Sequence, residues 1–214
     1  MVIFGETGVG KSSVVNMILG ENGVKADTSD SAYGCTFDHK SYPVEIEGES
    51  YNLYDTAGLN EGGAGTIDGA QAIAKLYGLI DSLSKKGGVN LLIFVMRCGR
   101  ITESNQKNYQ LFYDTFCEGS VPIVVVVTHC ENVEPDMESW WPRNERKIEE
   151  SGMLFKAYAC VCSSRGKKRR DGTYSNDQPF EESKGYVEKL IHDNFSPQSW
   201  TKVNHIHDFE AVKN

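Results

Sequence analysis

No stretch of the sequence carries the roughly 20 consecutive apolar residues that a membrane-spanning helix requires; the longest runs lie near Leu91–Met96 and Val121–Val127. No membrane span is expected in this chain. The six cysteines, at 35, 98, 117, 130, 160 and 162, form no CxxC pair, repeat no spacing and follow no secretory leader. Reduced, mostly buried thiols in a cytoplasmic setting are expected, rather than disulfides or a zinc site. Positive charge is in deficit: the formal charge is -8 and the pI about 5.2. That balance argues against nucleic acid as a partner held by general phosphate attraction, so any phosphate chemistry has to be local. Internal repeats and low-complexity linkers are missing as well, and 214 residues suit one domain.

What the sequence does contain is alternation. Short β-branched runs (Val2–Phe4, Tyr42–Ile46, Tyr51–Tyr54, Val89–Met96, Val121–Val127, Leu154–Ala159) take turns with segments of helical period at 11–19, 67–83, 103–116, 142–150 and 180–194. The order predicts an α/β fold of three layers, a mostly parallel sheet covered on both faces. The runs LLIFVM and VPIVVVV lack polar alternation and read as central strands, whereas YPVEIEG and ESYNLYD alternate. The latter pair is expected to form an antiparallel edge hairpin turning at Glu47-Gly48-Glu49. Residues 1–195 are read as one folded domain, and 196–214 as a tail that packs on it or frays. The opening MVIFG already lies inside a strand, so residues upstream of this chain, and an anchor outside it, are expected to be possible. The stretches 28–37, 58–69 and 163–177 are the expected loops at the ligand-binding edge.

Gly5-Glu6-Thr7-Gly8-Val9-Gly10-Lys11-Ser12 fits GxxxxGK[ST] between an apolar strand and a helix, the context the motif needs, so the three-layer α/β fold is expected to be of the P-loop NTPase type and residues 1–195 its nucleotide-binding domain. Its glycines let main-chain N–H groups close on phosphate oxygens, and the helix N-terminus adds about half a positive charge. Lys11 is expected to reach the β and γ phosphates, Ser12 to give its hydroxyl to Mg²⁺, and Ser13 to complete the binding set. Asp55 closes the strand NLYD and begins Asp-Thr-Ala-Gly (55–58), where a carboxylate that holds Mg²⁺ through water belongs. The Gly58 N–H can reach the γ-phosphate.

Asp-Thr-Ala-Gly resembles the form found in small GTPases, which directs attention to a guanine site downstream. Thr128-His129-Cys130-Glu131 follows the strand VPIVVVV, where those proteins carry [NT]KxD. Glu131 can accept from guanine N1–H and N2–H₂, a donor pair adenine lacks, His129 can stack on the base, and Thr128 can brace the loop. Ser163, in Cys162-Ser163-Ser164-Arg165, stands where GTPases place a short loop against guanine O6.

GETGVGKSSVVNMILGE is similar to the first loop and helix of the GIMAP immunity-associated GTPases and the chloroplast Toc receptors, with Asn16, Ile18, Leu19 and Gly20 matching. Cys98–Gln106 resembles the GRFTEEDQ box of the GIMAP proteins. The likeness covers roughly residues 2–131. It implies a threonine closing over Mg²⁺ and the γ-phosphate, with Thr36 as the candidate and Thr28 and Ser31 as rivals. It also implies GTP-dependent homodimerisation across the nucleotide face, for which Arg97 and Arg100 are candidates to reach the partner or, alternatively, to cap the next helix. Leu59 stands where many small GTPases have a water-orienting glutamine, so turnover is expected to be slow.

The expected activity is thus a Mg²⁺-dependent GTPase, with Lys11, Thr36 and Gly58 serving the chemistry, GTP/GDP as ligand, and an effector protein not named by the sequence. An ATPase or kinase, or a nucleotide-bound scaffold without turnover, remains open. Lys167-Lys168-Arg169-Arg170 reads as a solvated loop or a grip on an anionic partner, Trp140-Trp141 as a core cap or a partner patch, and His192, His205 and His207 as surface or tail residues.

Overall fold

The computed structural model describes residues 1–20, 40–56 and 69–201. Six strands form one sheet in the order β2-β3-β1-β4-β5-β6. They are β1 Val2–Gly5, β2 Lys40–Ile46, β3 Glu49–Asp55, β4 Leu92–Arg97, β5 Ile123–Thr128 and β6 Tyr158–Cys160. All neighbours run parallel except β2 and β3. That pair is the expected edge hairpin, with Ile46 opposite Glu49 and a two-residue turn at Glu47-Gly48. Both turn residues have positive φ, 52° and 82°, which matches the right-handed twist of the flanking strands.

The period-two side-chain alternation of the strands divides the core into two layers. Val2, Phe4, Phe94, Val125 and Val127 face one way, onto α2 (Gly69–Lys85), α3 (Glu103–Tyr109) and α4 (Trp140–Glu150). Ile3, Ile93, Val95, Val124 and Val126 face the other, onto α1 (Lys11–Leu19) and α5 (Asp177–Asn194). Every residue of β5 is buried, as its unbroken apolar run requires.

Several boundaries differ from the sequence reading. Val89 is not part of β4. It exchanges two backbone hydrogen bonds with Trp200, at 2.8 and 2.9 Å, which pins the start of the tail against the core. The expected strand at 154–159 shrinks to Tyr158–Cys160, and Leu154 is 61% exposed. Its backbone is taken instead by the Tyr109 hydroxyl, which donates to Leu154 O and accepts from Leu154 N–H. The helix expected over 103–116 changes after Tyr109 to a π turn through Phe116, which keeps Phe112 and Phe116 buried. Trp140 and Trp141 lie in the core, with Trp141 stacked on Tyr158 at 4.8 Å. The 28–37 stretch, residues 58–68, and His205 and His207 lie outside the described residues.

Gly5 sets how closely β1 and β4 approach. A Cβ on it would stand 2.1 Å from the Val95 carbonyl oxygen and 3.1 Å from its carbon, both rigid main chain. Gly5→Ala is therefore expected to lower stability by about 3 kcal/mol. Denaturant titration checks this; an unchanged midpoint would show that the strand pair can open without cost.

Candidate functional site

The carboxyl ends of β1, β3, β4, β5 and β6 lie along one edge of the sheet, and the chemistry-bearing residues gather there. The loop Gly5–Gly10 leaves β1 and enters α1 through Gly10, whose φ of 96° is easy only for glycine. No side chain caps α1, and no acid stands in its first turn. Its orphan N–H groups and dipole are left to an external anion. Lys11 is 8% exposed, and its ammonium donates to the carbonyls of Gly5, at 3.0 Å, and Glu6, at 2.8 Å. These bonds hold the cation over the loop. Ser12 and Ser13 follow on the first turn, each half-buried.

Asp55 ends β3 opposite Ile3 of β1. The next residue, Thr56, fastens that end: both its N–H, at 3.2 Å, and its hydroxyl, at 2.9 Å, donate to Ile3 O. Ser12 and Asp55 are hard oxygen donors suited to Mg²⁺. Among the described residues no group of three or more His, Cys, Asp or Glu side chains could hold a metal. A cation here would draw the rest of its shell from phosphate and water, as Mg²⁺ does in nucleotide sites. Thr36 and Gly58 lie outside the described residues.

The other side of this edge is built on β5 and β6. Thr128 is fully buried, and its hydroxyl donates to Val9 O at 2.6 Å, locking the phosphate loop to the end of β5. A Cβ on Gly10 would meet Ser163 Oγ and Thr128 Cγ2, each at 3.4 Å, so the loop, Thr128 and Ser163 converge at one point. Cys130 N–H donates to Val161 O at 3.1 Å and ties this loop to the β6 end. His129 takes a left-handed φ of 61° and sets its Nδ1 3.0 Å from the Thr128 hydroxyl. Burial, followed by the Arg97 charge, lowers its pKa, which favours a neutral ring. A neutral imidazole suits a base face better than a phosphate. Glu131 Oε2 is buried and has no hydrogen-bond partner among the described residues. A desolvated acceptor of this kind costs free energy until a donor arrives, and guanine N1–H and N2–H₂ are such donors.

Thr102 and Asn105 join the site without having been singled out for it, through Glu6 of the phosphate loop. Glu6 puts a carboxylate inside a loop shaped for phosphates. Its Oε1 is held by the Asn105 amide at 3.0 Å and by the Thr102 hydroxyl. Thr102 and Asn105 also form the capping box of α3, with Asn105 N–H donating to Thr102 Oγ1 at 3.0 Å. The box therefore directs the acid toward α3. The capping signal was present in the sequence, but its contact with Glu6 spans 96 residues and left no local trace. Glu6 and Thr7, Arg97 and Arg100, and Thr102 and Asn105 help to line one cleft of about 250 Å³.

Two thiols beside the site favour the protonated form. Burial, followed by the neighbouring Cys130, pushes Cys98 up to about 12. Cys130 is also raised, first by hydrogen bonding with the Cys160 thiol and then by burial. All five described cysteines are free.

Two substitutions test the assignment. Lys11→Ala removes the side-chain cation over the phosphate loop and is expected to weaken GTP binding about tenfold or more. Glu131→Gln turns an acceptor partly into a donor; it should weaken GTP by a similar factor, spare ATP, and improve xanthosine triphosphate, whose 2-oxo group accepts. Calorimetry with the three nucleotides checks both, and equal losses for GTP and ATP in the Glu131 variant would place base recognition elsewhere.

Comparison with known proteins gives the arrangement a family. The chain is 35% identical over 109 residues to the tRNA modification GTPase MnmE of Porphyromonas gingivalis, covering 51% of this chain and 21% of that protein. It is 28% identical over 160 residues to GTPase Der of Desulfitobacterium hafniense, covering 74% of this chain and 33% of that protein. It thus spans about a fifth to a third of the curated relatives it matches. Among solved structures, Era in complex with MgGDPNP and 16S ribosomal RNA superposes with a TM-score of 0.60 at 16% identity, over 94% of this chain and 58% of that one. A variant of Aquifex aeolicus Era bound to GDP and AlF4⁻ gives 0.57 at 14%, over the same shares. These two establish the P-loop GTPase fold. The curated relatives here are bacterial GTPases, so the expected place beside the GIMAP and Toc proteins is not supported by them and rests on the residue match alone. The family described as 50S ribosome-binding GTPase matches residues 1–129, more than half of the 214, and the chain belongs to that family of P-loop GTPases.

Proposed function

We propose that this chain is a Mg²⁺-dependent GTP-binding domain that hydrolyses GTP slowly by itself and acts as a nucleotide-controlled switch or assembly element in the cytosol. The observation that carries this reading is the convergence of Gly10, Thr128 and Ser163 beside a buried carboxylate oxygen, Glu131 Oε2, that has no partner among the described residues. Main-chain N–H groups at the start of α1 and the Lys11 ammonium would bind the phosphates, and Glu131 would orient the base. Bound Mg²⁺ would neutralise charge on the β and γ phosphates, held from the protein side by Ser12, Asp55 and a switch-loop hydroxyl such as Thr36.

MgGDPNP and 16S ribosomal RNA belong to the Era complex, as tRNA modification belongs to MnmE. The nucleotide and its metal are carried over here because the loop that would hold them is present. RNA is not carried over, because the chain has an acidic excess of eight charges and matches those proteins only in part. The Cys98–Gln106 segment supports a finer kinship with the GIMAP and Toc GTPases. With it comes a GTP-dependent homodimer across the nucleotide edge, where the exposed Arg97 and Arg100 stand.

The side chain after Asp-Thr-Ala-Gly is Leu59, which cannot orient water. Single-turnover hydrolysis by the monomer is expected at about 10⁻⁴ to 10⁻³ per second. A fast rate independent of protein concentration would contradict this and assign the missing function to another nearby group. Light scattering over a concentration series should show dimers with a non-hydrolysable GTP analogue and monomers with GDP. Monomers in both states would leave a switch read by a different protein.

A further inference from the structure

Lys167-Lys168-Arg169-Arg170 does not sit in a loose solvated loop. Residues 165–176 fold into a small hairpin with a ladder of its own: Asn176 N–H to Arg165 O at 3.0 Å, Ser175 N–H to Lys167 O at 3.0 Å and Arg169 N–H to Thr173 O at 2.7 Å. Lys168 and Tyr174 form a β-bridge in the middle, and Gly172 N–H closes the turn on Arg169 O at 3.2 Å. The base is fastened as firmly. Arg165 pairs with Asp177 at 2.9 Å and with Glu181, and its guanidinium lies 4.6 Å over the Phe180 ring. Gly166 has φ 75°, and a Cβ there would stand 2.1 Å from Ser175 Oγ, so the hairpin requires glycine at that point.

This scaffold presents four consecutive cations, all exposed. The acid at its turn, Asp171, is occupied within it, accepting from Thr173 N–H at 3.0 Å and from the Thr173 hydroxyl at 2.7 Å. The hairpin is thus a compact positive surface on a chain with 30 acids against 22 bases. It leaves β6 immediately after Ser163, beside the candidate nucleotide site.

We propose that this hairpin docks the protein on an anionic phospholipid membrane surface. Cations near such a surface are attracted to it within a Debye length of about 8 Å. A bilayer can meet an exposed turn without covering the acidic remainder of the protein. An extended nucleic acid would cross that remainder, and binding of single strands draws on open aromatic faces. The hairpin's aromatic residue, Tyr174, is half-buried with the Lys168 ammonium 5.9 Å above its ring.

The test is co-sedimentation of the full chain with phosphatidylcholine vesicles, with and without phosphatidylserine, at physiological and high salt. Binding is expected to need phosphatidylserine and to fall at high salt. It should weaken on the order of tenfold or more when Lys167, Lys168, Arg169 and Arg170 are all changed to Ser. Gly166→Val keeps the cations but breaks the hairpin, and should weaken binding as well. Neutralising exposed cations elsewhere, Lys107→Ser with Arg146→Ser, should leave binding unchanged, and retained affinity for a fluorescent GDP reports that each variant is folded. Equal binding to neutral vesicles, no binding to either, or full binding by the four-Ser variant would each overturn the proposal. Tighter capture of an RNA oligonucleotide through the same four residues would overturn the choice of lipid.

Discussion

A single buried hydrogen bond makes one site out of two. The Thr128 hydroxyl donates to Val9 O across 119 residues of sequence, and it joins the loop for phosphates, on β1, to the loop for the base, on β5. β4 lies between these strands, so the bond spans the sheet edge above it. Lys11 and the cap of α3 hold the loop at Glu6, and the Thr128 bond is what ties its far side, at Val9, to β5. Thr128 O meanwhile accepts from Cys98 N–H at 2.8 Å, so the same residue also positions the segment that leads to α3. Side chain and backbone of Thr128 together bring the ends of β1, β4 and β5 into register with a ligand.

Electrostatics at this edge are arranged locally, within an acidic chain. The loop offers N–H groups, a helix dipole and Lys11, and the carboxylate it contains, Glu6, is held by the cap of α3. At the ends of β5 and β6, a neutral-leaning His129 and the acceptor Glu131 would suit a base that brings donors rather than charge. The protonated thiols of Cys98 and Cys130 add no charge to this surface. Phosphate and base are thus met by different chemistries a few residues apart.

Much of this was legible in the sequence, wherever a physical signal is local. The helix at Lys11–Leu19 follows from its apolar spacing between two glycines, β4 and β5 from apolar runs too dense for a solvated face, and the edge hairpin from alternation around Glu47-Gly48. Signals that depend on distant partners were not legible. Leu154–Ala157 has the composition of a strand, but the Tyr109 hydroxyl takes the Leu154 backbone, and bonding to β5 starts only where Lys156 N–H donates to Ile123 O at 2.8 Å. The polar stretch 165–176 has the composition of a loop, yet Gly166, Asp171 and the Arg165 anchor fold it. The residues named for the site at 5–13, 55, 128–131 and 163 lie along one sheet edge because each stands at or just past a strand end. The hold of Thr102 and Asn105 on Glu6 appears only once α3 is packed against β1.

Selection of guanine at the sheet edge, proposed for Glu131, accompanies that of phosphate, proposed for the loop at Gly5–Ser12. It is tested most directly by denaturing the purified protein and identifying the released nucleotide by ion-exchange chromatography. GDP or GTP is the predicted result. ADP or ATP as the retained nucleotide would contradict the account.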